Sequence, residues 1–418
     1  MPKINEIVLA HKNEKEKLLK ERYVRREVHE KVEKLIDNEL IKVIIGPRRA
    51  GKSVFSALLL KDRDFAYLNF DDEELTKIKD YDEILKGLVE VYGRTDYILF
   101  DEIQNLDKWE LFVNRLKRKG LNLVLTGSNS KLLSKELATH LTGRYVEIEI
   151  LPFSFREFLA AKNFRPENES LILKETQGRL LNLLTQYLEE GGFPEVAVKG
   201  YGKDYLKTLF DGIIFKDVVK RYNVRYSSKI YDLALYLASS ISKNTSFTKL
   251  KNILNFRSVH TAENYTRYLE EAYLFLLLNR FSYKLKEQLK SPKKIYSIDT
   301  GTANAVGFKF MGDTGRLMEN LVALELIRRG LEIYYWKDYA GKEVDFIIKR
   351  GLEIEQLIQV CYDVEDPDTK EREANALVKA SKELKCKNLL VITWDYEGKE
   401  EIKKRKIKFI PLWKWLLG

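Results

Sequence analysis

The stretch Ile41-Lys42-Val43-Ile44-Ile45-Gly46-Pro47-Arg48-Arg49-Ala50-Gly51-Lys52-Ser53 decides the fold. Its β-branched opening reads as a buried parallel strand. The part from Gly46 to Ser53 matches G-x-x-x-x-G-K-[ST], and a helical pattern starts at Ser53. Gly46 and Gly51 let the backbone curl so that successive N–H groups face a phosphate. The helix that follows adds the positive end of its dipole. Lys52 is placed to reach the β- and γ-phosphates, and Ser53 to offer its hydroxyl to Mg²⁺. Pro47, Ala50 and Val54 are counted with these residues as the nucleotide-binding segment. Arg48 and Arg49 either meet phosphate or are solvated.

Working outward, apolar strands are expected at 65–70, 97–100, 121–126 and 145–150, with helical patterns between them. A polar helix is expected over 14–29. Residues 108–119 place Trp109, Phe112, Val113 and Leu116 on one helical face. Strands alternating with helices imply right-handed crossovers and a parallel sheet covered on both faces. The strand Tyr97-Ile98-Leu99-Phe100 closes on Asp101-Glu102. Asp101 at its tip is expected to hold Mg²⁺, and Glu102 to act as general base on the attacking water. Thr126, Ser128 and Asn129 follow the next strand. They are candidates for orienting that water, with helix capping by Ser128 or Ser130 as the alternative. Arg144, before the last strand, either stabilises charge on the transferring phosphoryl group, in cis or from a neighbouring subunit, or makes a surface ion pair.

Beyond Leu151-Pro152 the pattern turns helical to about Tyr222. Residues 228–283 hold short helices and a wing at Phe281-Ser282-Tyr283. Strands then return at 294–298, 331–336, 344–348, 357–361 and 388–394, with helices at 316–329 and 370–384. The chain of 418 residues is too long for one typical core. It divides into a nucleotide-binding α/β segment (1–152), a helical segment (153–226), a stretch of short helices (227–290) and a second, smaller α/β segment (291–418). Lys and Arg total 73 against 63 Asp and Glu, a net charge of +10 spread along the sequence, which suits nucleic acid or an acidic partner. Only Cys361 and Cys386 are present, which excludes a disulfide framework, and neither they nor the four histidines have zinc-ligand spacing. The N-terminus lacks the apolar core of a signal peptide, and the longest apolar run, 273–278, falls far short of a membrane span. A soluble, cytoplasmic protein is expected.

The order Gly-Pro-Arg-Arg-Ala-Gly-Lys-Ser, Phe-Asp-Glu-Ile-Gln-Asn, Leu-Thr-Gly-Ser, Gly-Arg-Tyr and Leu-Pro-Phe-Ser-Phe-Arg-Glu-Phe-Leu resembles the prokaryotic AAA-type P-loop ATPases. More narrowly, the chain is similar to the subgroup that carries a C-terminal restriction-endonuclease-like domain. The resemblance implies ATP and ADP as ligands with Mg²⁺, a sensor role for Thr126 to Ser128, and an arginine finger at Arg144. It also implies that Pro194, in Gly191-Gly192-Phe193-Pro194, lies near the base and that Arg25-Arg26-Glu27 enters the same pocket. Oligomers are common among such ATPases. The resemblance also implies that 153–226 is a helical lid and 227–290 a winged-helix module, in which His260, Asn264, Tyr265 and Arg267 lie on the helix placed to read DNA, although Glu263, Glu270 and Glu271 dilute the positive field. Protein docking is the alternative. In the last segment Glu319 and Asp345 match the first acidic positions of a nuclease site. Gln359 and Cys361 stand where a second-strand acid and a lysine belong, so cleavage is not expected. The implied activity is ATP hydrolysis coupled to motion of the helical and winged-helix segments, on DNA or as a switch with slow turnover.

Overall fold

The computed structural model describes residues 4–21, 23–128, 141, 143–308 and 314–418. Two compact units result, residues 1–153 with 271–273, and residues 154–270 with 274–418. The first is built on five strands, β1 (Ile41–Ile45), β2 (Phe65–Asn69), β3 (Tyr97–Asp101), β4 (Asn122–Gly127) and β5 (Tyr145–Glu149), in the order β2-β3-β4-β1-β5. Every neighbouring pair is parallel. All five strands begin or end within a residue or two of the positions expected from sequence.

Strands β1 to β4 are buried on both faces, and their alternate residues feed two separate cores, whereas the edge strand β5 exposes Glu147 and Glu149. One face presents Val43, Leu68, Phe100 and Leu125 to helices α1 (Ile4–Lys20), α3 (Tyr81–Tyr92) and α4 (Trp109–Arg118). The other presents Ile44, Tyr67, Leu99 and Val124 to helix α2 (Lys52–Leu59) and to Val32 and Ile36. Trp109, Phe112, Val113 and Leu116 are all buried, as their spacing requires. The N-terminal helix differs from expectation: it spans Ile4–Lys20 instead of 14–29. Ile4, Ile7 and Val8 extend its apolar face toward the N-terminus. The chain leaves the helix before Arg26, whose guanidinium turns inward.

The second unit opens with helices α5 (Phe155–Ala161), α6 (Lys174–Glu190), α7 (Pro194–Lys199) and α8 (Lys203–Gly212). Ser154 caps α5 in a reciprocal capping box with Glu157. Next come α9 (Ser227–Ala238), β6 (Asn244–Thr245), α10 (Phe247–Leu254), α11 (Val259–Glu271), β7 (Phe275–Leu278) and β8 (Lys293–Ser297). The strand expected to open the last segment is β8. It pairs antiparallel with both β6 and β7 in a three-stranded sheet, because those short strands leave their hydrogen-bonding edges open to it. The wing expected at Phe281–Tyr283 is displaced as well. Phe281 is buried beside Trp336, its N–H donates to the Tyr335 carbonyl, and the connection between β7 and β8 runs on to Pro292.

A six-stranded sheet completes the unit: β9 (Glu332–Lys337), β10 (Glu343–Arg350), β11 (Glu353–Cys361), β12 (Leu389–Thr393), β13 (Gly398–Ile402) and β14 (Arg405–Pro411), ordered β13-β14-β12-β11-β10-β9. Helices α12 (Thr300–Val306), α13 (Thr314–Arg328) and α14 (Pro367–Glu383) accompany it. The hairpin β13–β14 has no counterpart in the sequence expectation. Its β13 alternates half-buried and exposed residues and carries little apolar signal.

Gly191 ends α6 at φ +81°, and a Cβ there would stand 2.3 Å from Asp299 Oδ1. That carboxylate caps α12 through the Thr302 N–H (2.8 Å) and also accepts the Gly192 N–H at 2.6 Å. The glycine pair therefore admits a buried cap to the turn before Pro194. Gly191→Ala should cost about 3 kcal/mol or more in urea denaturation, since strain and overlap add. Gly200→Ala, with φ +72° and nothing near its Cβ position, should cost only about 1–2 kcal/mol.

Candidate functional site

The C-terminal ends of β1, β3 and β4 meet at one edge of the first sheet, where open α/β sheets bind ligands. Gly46 leaves β1 at φ +146°, and a Cβ on it would sit 2.1 Å from the Ile150 carbonyl oxygen. Only glycine passes this point. Gly51 takes φ +88° as the N-cap of α2, and Arg49 between them is also left-handed at φ +66°. The Pro47 carbonyl accepts the Ala50 N–H (3.2 Å) and the Lys52 ammonium (3.0 Å). Arg26 braces the loop from outside: it is 7% exposed, and it donates to the Ala50 carbonyl at 2.9 Å and to the Leu151 carbonyl.

Four side chains converge beside the loop. Lys52, 4% exposed, lies 3.6 Å from Glu102 Oε1. Glu102 sits just past β3 at φ +49°, which turns it off the strand direction. Thr126, fully buried on β4, joins the two acids. Its hydroxyl donates to Asp101 Oδ1 and accepts the Glu102 N–H at 3.0 Å. Tyr67 donates from β2 to Asp101 Oδ2 at 3.2 Å and lies equally close to Glu14 of α1. Gln104 donates to Glu102 Oε2 at 2.5 Å.

Burial, with the Glu102 charge adding to it, pushes the Asp101 carboxyl up to about 6 against the pull of Thr126 and Ser53. Burial also pushes on Glu102, but Lys52 and then Gln104 outweigh it and hold this carboxyl below its usual range. Adjacent acids are thus driven apart, leaving Glu102 the more firmly ionised. Beside these acids Ser128 adds a hydrogen bond that favours the ionised Glu102, and the buried Gln104 Oε1 has no hydrogen-bond partner among the described residues. Together with the loop at Gly46, this oxygen suits a polar ligand with its own water and cation.

The expected site residues are thereby sorted by the tertiary structure. Lys52, Ser53, Asp101, Glu102 and Thr126 come together; Asn129 and Ser130 lie outside the described residues. Arg48 is 3.8 Å from Asp71. Arg144 does not join them. Its carbonyl accepts the Ile41 N–H at the start of β1, and its guanidinium donates to Asn114 Oδ1 at 2.7 Å. It therefore lies at the opposite edge of the sheet, a strand length of roughly 15 Å away, and the cis role is corrected. Pro194 belongs to the second unit, as the first residue of α7. Arg26, which the resemblance places in the pocket, holds the loop through the Ala50 and Leu151 carbonyls, and Tyr67 and Gln104 are the contributors with the least sequence signal.

The AAA domain family matches residues 38–159, the segment that holds this sheet, loop and acid pair. The chain belongs to the family of an uncharacterized protein from Methanocaldococcus jannaschii, with 41% identity over 405 residues, 92% of this chain and 89% of that protein. An uncharacterized protein of Haemophilus influenzae is 35% identical over 351 residues, covering 78% of this chain and 84% of that one. Two domains of unknown function, DUF8612 and DUF4143, match residues 181–312 and 314–415. Among solved structures, a Walker-type ATPase of Pyrococcus abyssi is similar at 16% identity and TM-score 0.41, over 69% of this chain and 99% of that one. AMPPCP-bound DnaA from Aquifex aeolicus is similar at 16% and 0.27, over 59% and 86%. Among the described residues no helix is long and apolar enough to cross a membrane.

A second polar cluster lies within the other unit. Glu319 of α13 and Asp345 of β10 are brought together as expected, but the lysine beside them is Lys294 of β8, far from Cys361 in sequence. Gln359 accepts the Asp345 N–H at 3.3 Å and donates to Glu373 at 2.7 Å. Burial pushes the Cys361 thiol up to about 12, so it is not a nucleophile. Burial, then the Asp345 charge, pushes the Glu319 carboxyl from 4.5 up to about 8, against the opposing pull of Lys294.

Two outcomes follow from these geometries. Thr126→Val strips one partner each from the Asp101 carboxylate and the Glu102 N–H. It should cost about 1–3 kcal/mol in urea denaturation of nucleotide-free protein, with Thr126→Ser recovering most of that. The raised Glu319 carboxyl favours folding fully below 4.5 and loses that contribution as pH rises through about 8. The stability difference between wild type and Glu319→Gln should therefore shift against wild type across that interval.

Proposed function

We propose that this protein hydrolyses ATP to ADP and phosphate, using the Mg²⁺–nucleotide complex as substrate. The observation that carries this reading is the Thr126 hydroxyl tying Asp101 and Glu102 into one unit beside Lys52. Gly46 to Val54 wrap the phosphates, and Lys52 moves from Glu102 to the γ-phosphate. Ser53 and Asp101 would hold Mg²⁺, which would supply charge neutralisation to the phosphates. Glu102, released from Lys52 and oriented by Gln104, takes the proton of the attacking water. Thr126 fixes the Asp101 carboxylate and the Glu102 backbone, so the rearrangement left for the reacting state is the parting of Lys52 from Glu102. Arg144, remote from its own loop, serves a neighbouring subunit's site, which calls for an oligomer.

The same reading has nucleotide state move the helical segment 153–226 and the winged-helix segment 227–290. The sheet β6-β8-β7 behind α9, α10 and α11 supports the latter. On α11, His260 and Arg267 are exposed, whereas Tyr265 packs edge-on against Phe256. DNA contact there thus rests on fewer groups than the sequence suggests. Pro194 near the base remains part of the proposal, as does a restriction-endonuclease-like last segment without cleavage. A second reading, a slow nucleotide-gated switch, is favoured by the Lys52–Glu102 pair, which must be broken before either group can act.

The test is the steady-state ATPase rate with and without DNA. Glu102→Gln should lower turnover by ~10²–10⁴-fold. Lys52→Ala should abolish both turnover and the stabilisation of about 2.7 kcal/mol that ATP gives at a hundred times its dissociation constant. Full turnover in the Lys52 variant would end the proposal. Stimulation by DNA would identify a motor, and slow turnover indifferent to DNA a switch.

A further inference from the structure

Lys294 enters the second unit from β8, and its side chain is 2% exposed. Its ammonium lies 2.8 Å from Glu319 Oε1, 2.8 Å from Glu343 Oε1 and 2.8 Å from Asp345 Oδ1. An ammonium has three N–H donors, and each finds its own carboxylate. The carboxylates are in turn fixed from behind. Tyr296 donates to Glu319 Oε1 at 2.7 Å, the Val360 N–H to Asp345 Oδ2 at 2.9 Å, and Asn244 to Glu343 Oε2 at 2.7 Å. Lys337 holds that last oxygen too, at 2.8 Å.

Converging carboxylate oxygens, each oriented by a further partner, are how proteins hold hard divalent cations. Here the cation at the centre belongs to the chain. Among the described residues no group of His, Cys, Asp and Glu is open to a metal ion, in keeping with an ammonium already at the centre of this one. Nothing else in the cage balances the converging charge from inside, since Lys337 touches only the outer oxygen of Glu343. Removal of the ammonium would leave buried carboxylates facing one another, a state that recruits either protons or a cation.

We propose that Lys294 is a built-in cation in a carboxylate cage of divalent-metal type, and that a small neutral residue in its place converts the cage into a binding site for a hard divalent cation. Wild-type protein needs no metal there, and chelators leave the second unit intact. The cage takes its charge balance from β8, which ties the three-stranded sheet to α13 and β10 by charge as well as by packing.

The experiment compares wild type with Lys294→Ala, full-length and free of nucleotide, in EDTA and in Mn²⁺ at fixed ionic strength. Wild type controls for any Mn²⁺ taken up near Asp101. The variant is expected to bind about one further Mn²⁺ per chain by water-proton relaxation. Its urea midpoint is expected to rise with the logarithm of Mn²⁺ concentration while that of wild type does not. Asp345→Asn added to Lys294→Ala should remove both effects. If Lys294→Ala does not accumulate folded in EDTA, recovery on refolding from urea with Mn²⁺ against EDTA gives the same readout. A variant with wild-type Mn²⁺ stoichiometry, and with midpoint and recovery indifferent to metal, overturns the proposal.

Discussion

Taking a charge out of water is the constraint on which most of this structure turns. Asp101, Glu102 and Lys52 are all buried or nearly so at one sheet edge, and none can be tolerated there without partners. The Thr126 hydroxyl, the Tyr67 hydroxyl, the Gln104 amide and the Pro47 carbonyl supply them. Each partner comes from a different element: β4, β2, the turn after β3 and the loop after β1. The polar network therefore fixes the relative register of the strands it joins, and the apolar cores on either face follow that register. A network of this kind is demanding, because losing one member strands the others.

The same constraint reaches the N-terminal helix. Tyr67 lies 3.2 Å from both Asp101 and Glu14, but a phenol has a single proton to give. Asn69, opposite Asp101 in the β2–β3 register, donates to Glu14 at 3.2 Å, and its N–H is accepted by His11 Nδ1 at 3.3 Å. That acceptor role places the histidine proton on Nε2, facing Asp72 at 3.2 Å. Helix α1 is thus joined by polar contacts to the strand end beside the acid pair.

In the second unit the constraint is met differently. At the first site the cation is one that a ligand can draw away, since Lys52 and Glu102 are 3.6 Å apart and loosely paired. In the Lys294 cage every ammonium donor is engaged at 2.8 Å. One arrangement is poised for exchange and the other is closed. The contrast follows from donor satisfaction: a cation with an unused donor is available to an incoming anion, and one without is part of the core.

The sequence by itself determined the elements whose information is local. Continuous apolar and β-branched runs located β1 to β5, helical spacing located α4, and the glycine–lysine–serine loop located the nucleotide segment. These rest on short-range sterics and on which face of an element must leave water, so they can be read within a window of a dozen residues. Tertiary structure decided the rest, because the deciding partner lies far away in sequence. Arg144 precedes the right strand but stands at the wrong end of it. Lys294, written two residues after a proline at the start of an expected strand, becomes the cation of Glu319, Glu343 and Asp345. Tyr67 looks like an ordinary core tyrosine until the acid it serves is folded against it. Long-range charge pairing leaves no periodic mark on a sequence, since its rule is that a buried charge finds a partner, and only the folded chain says which.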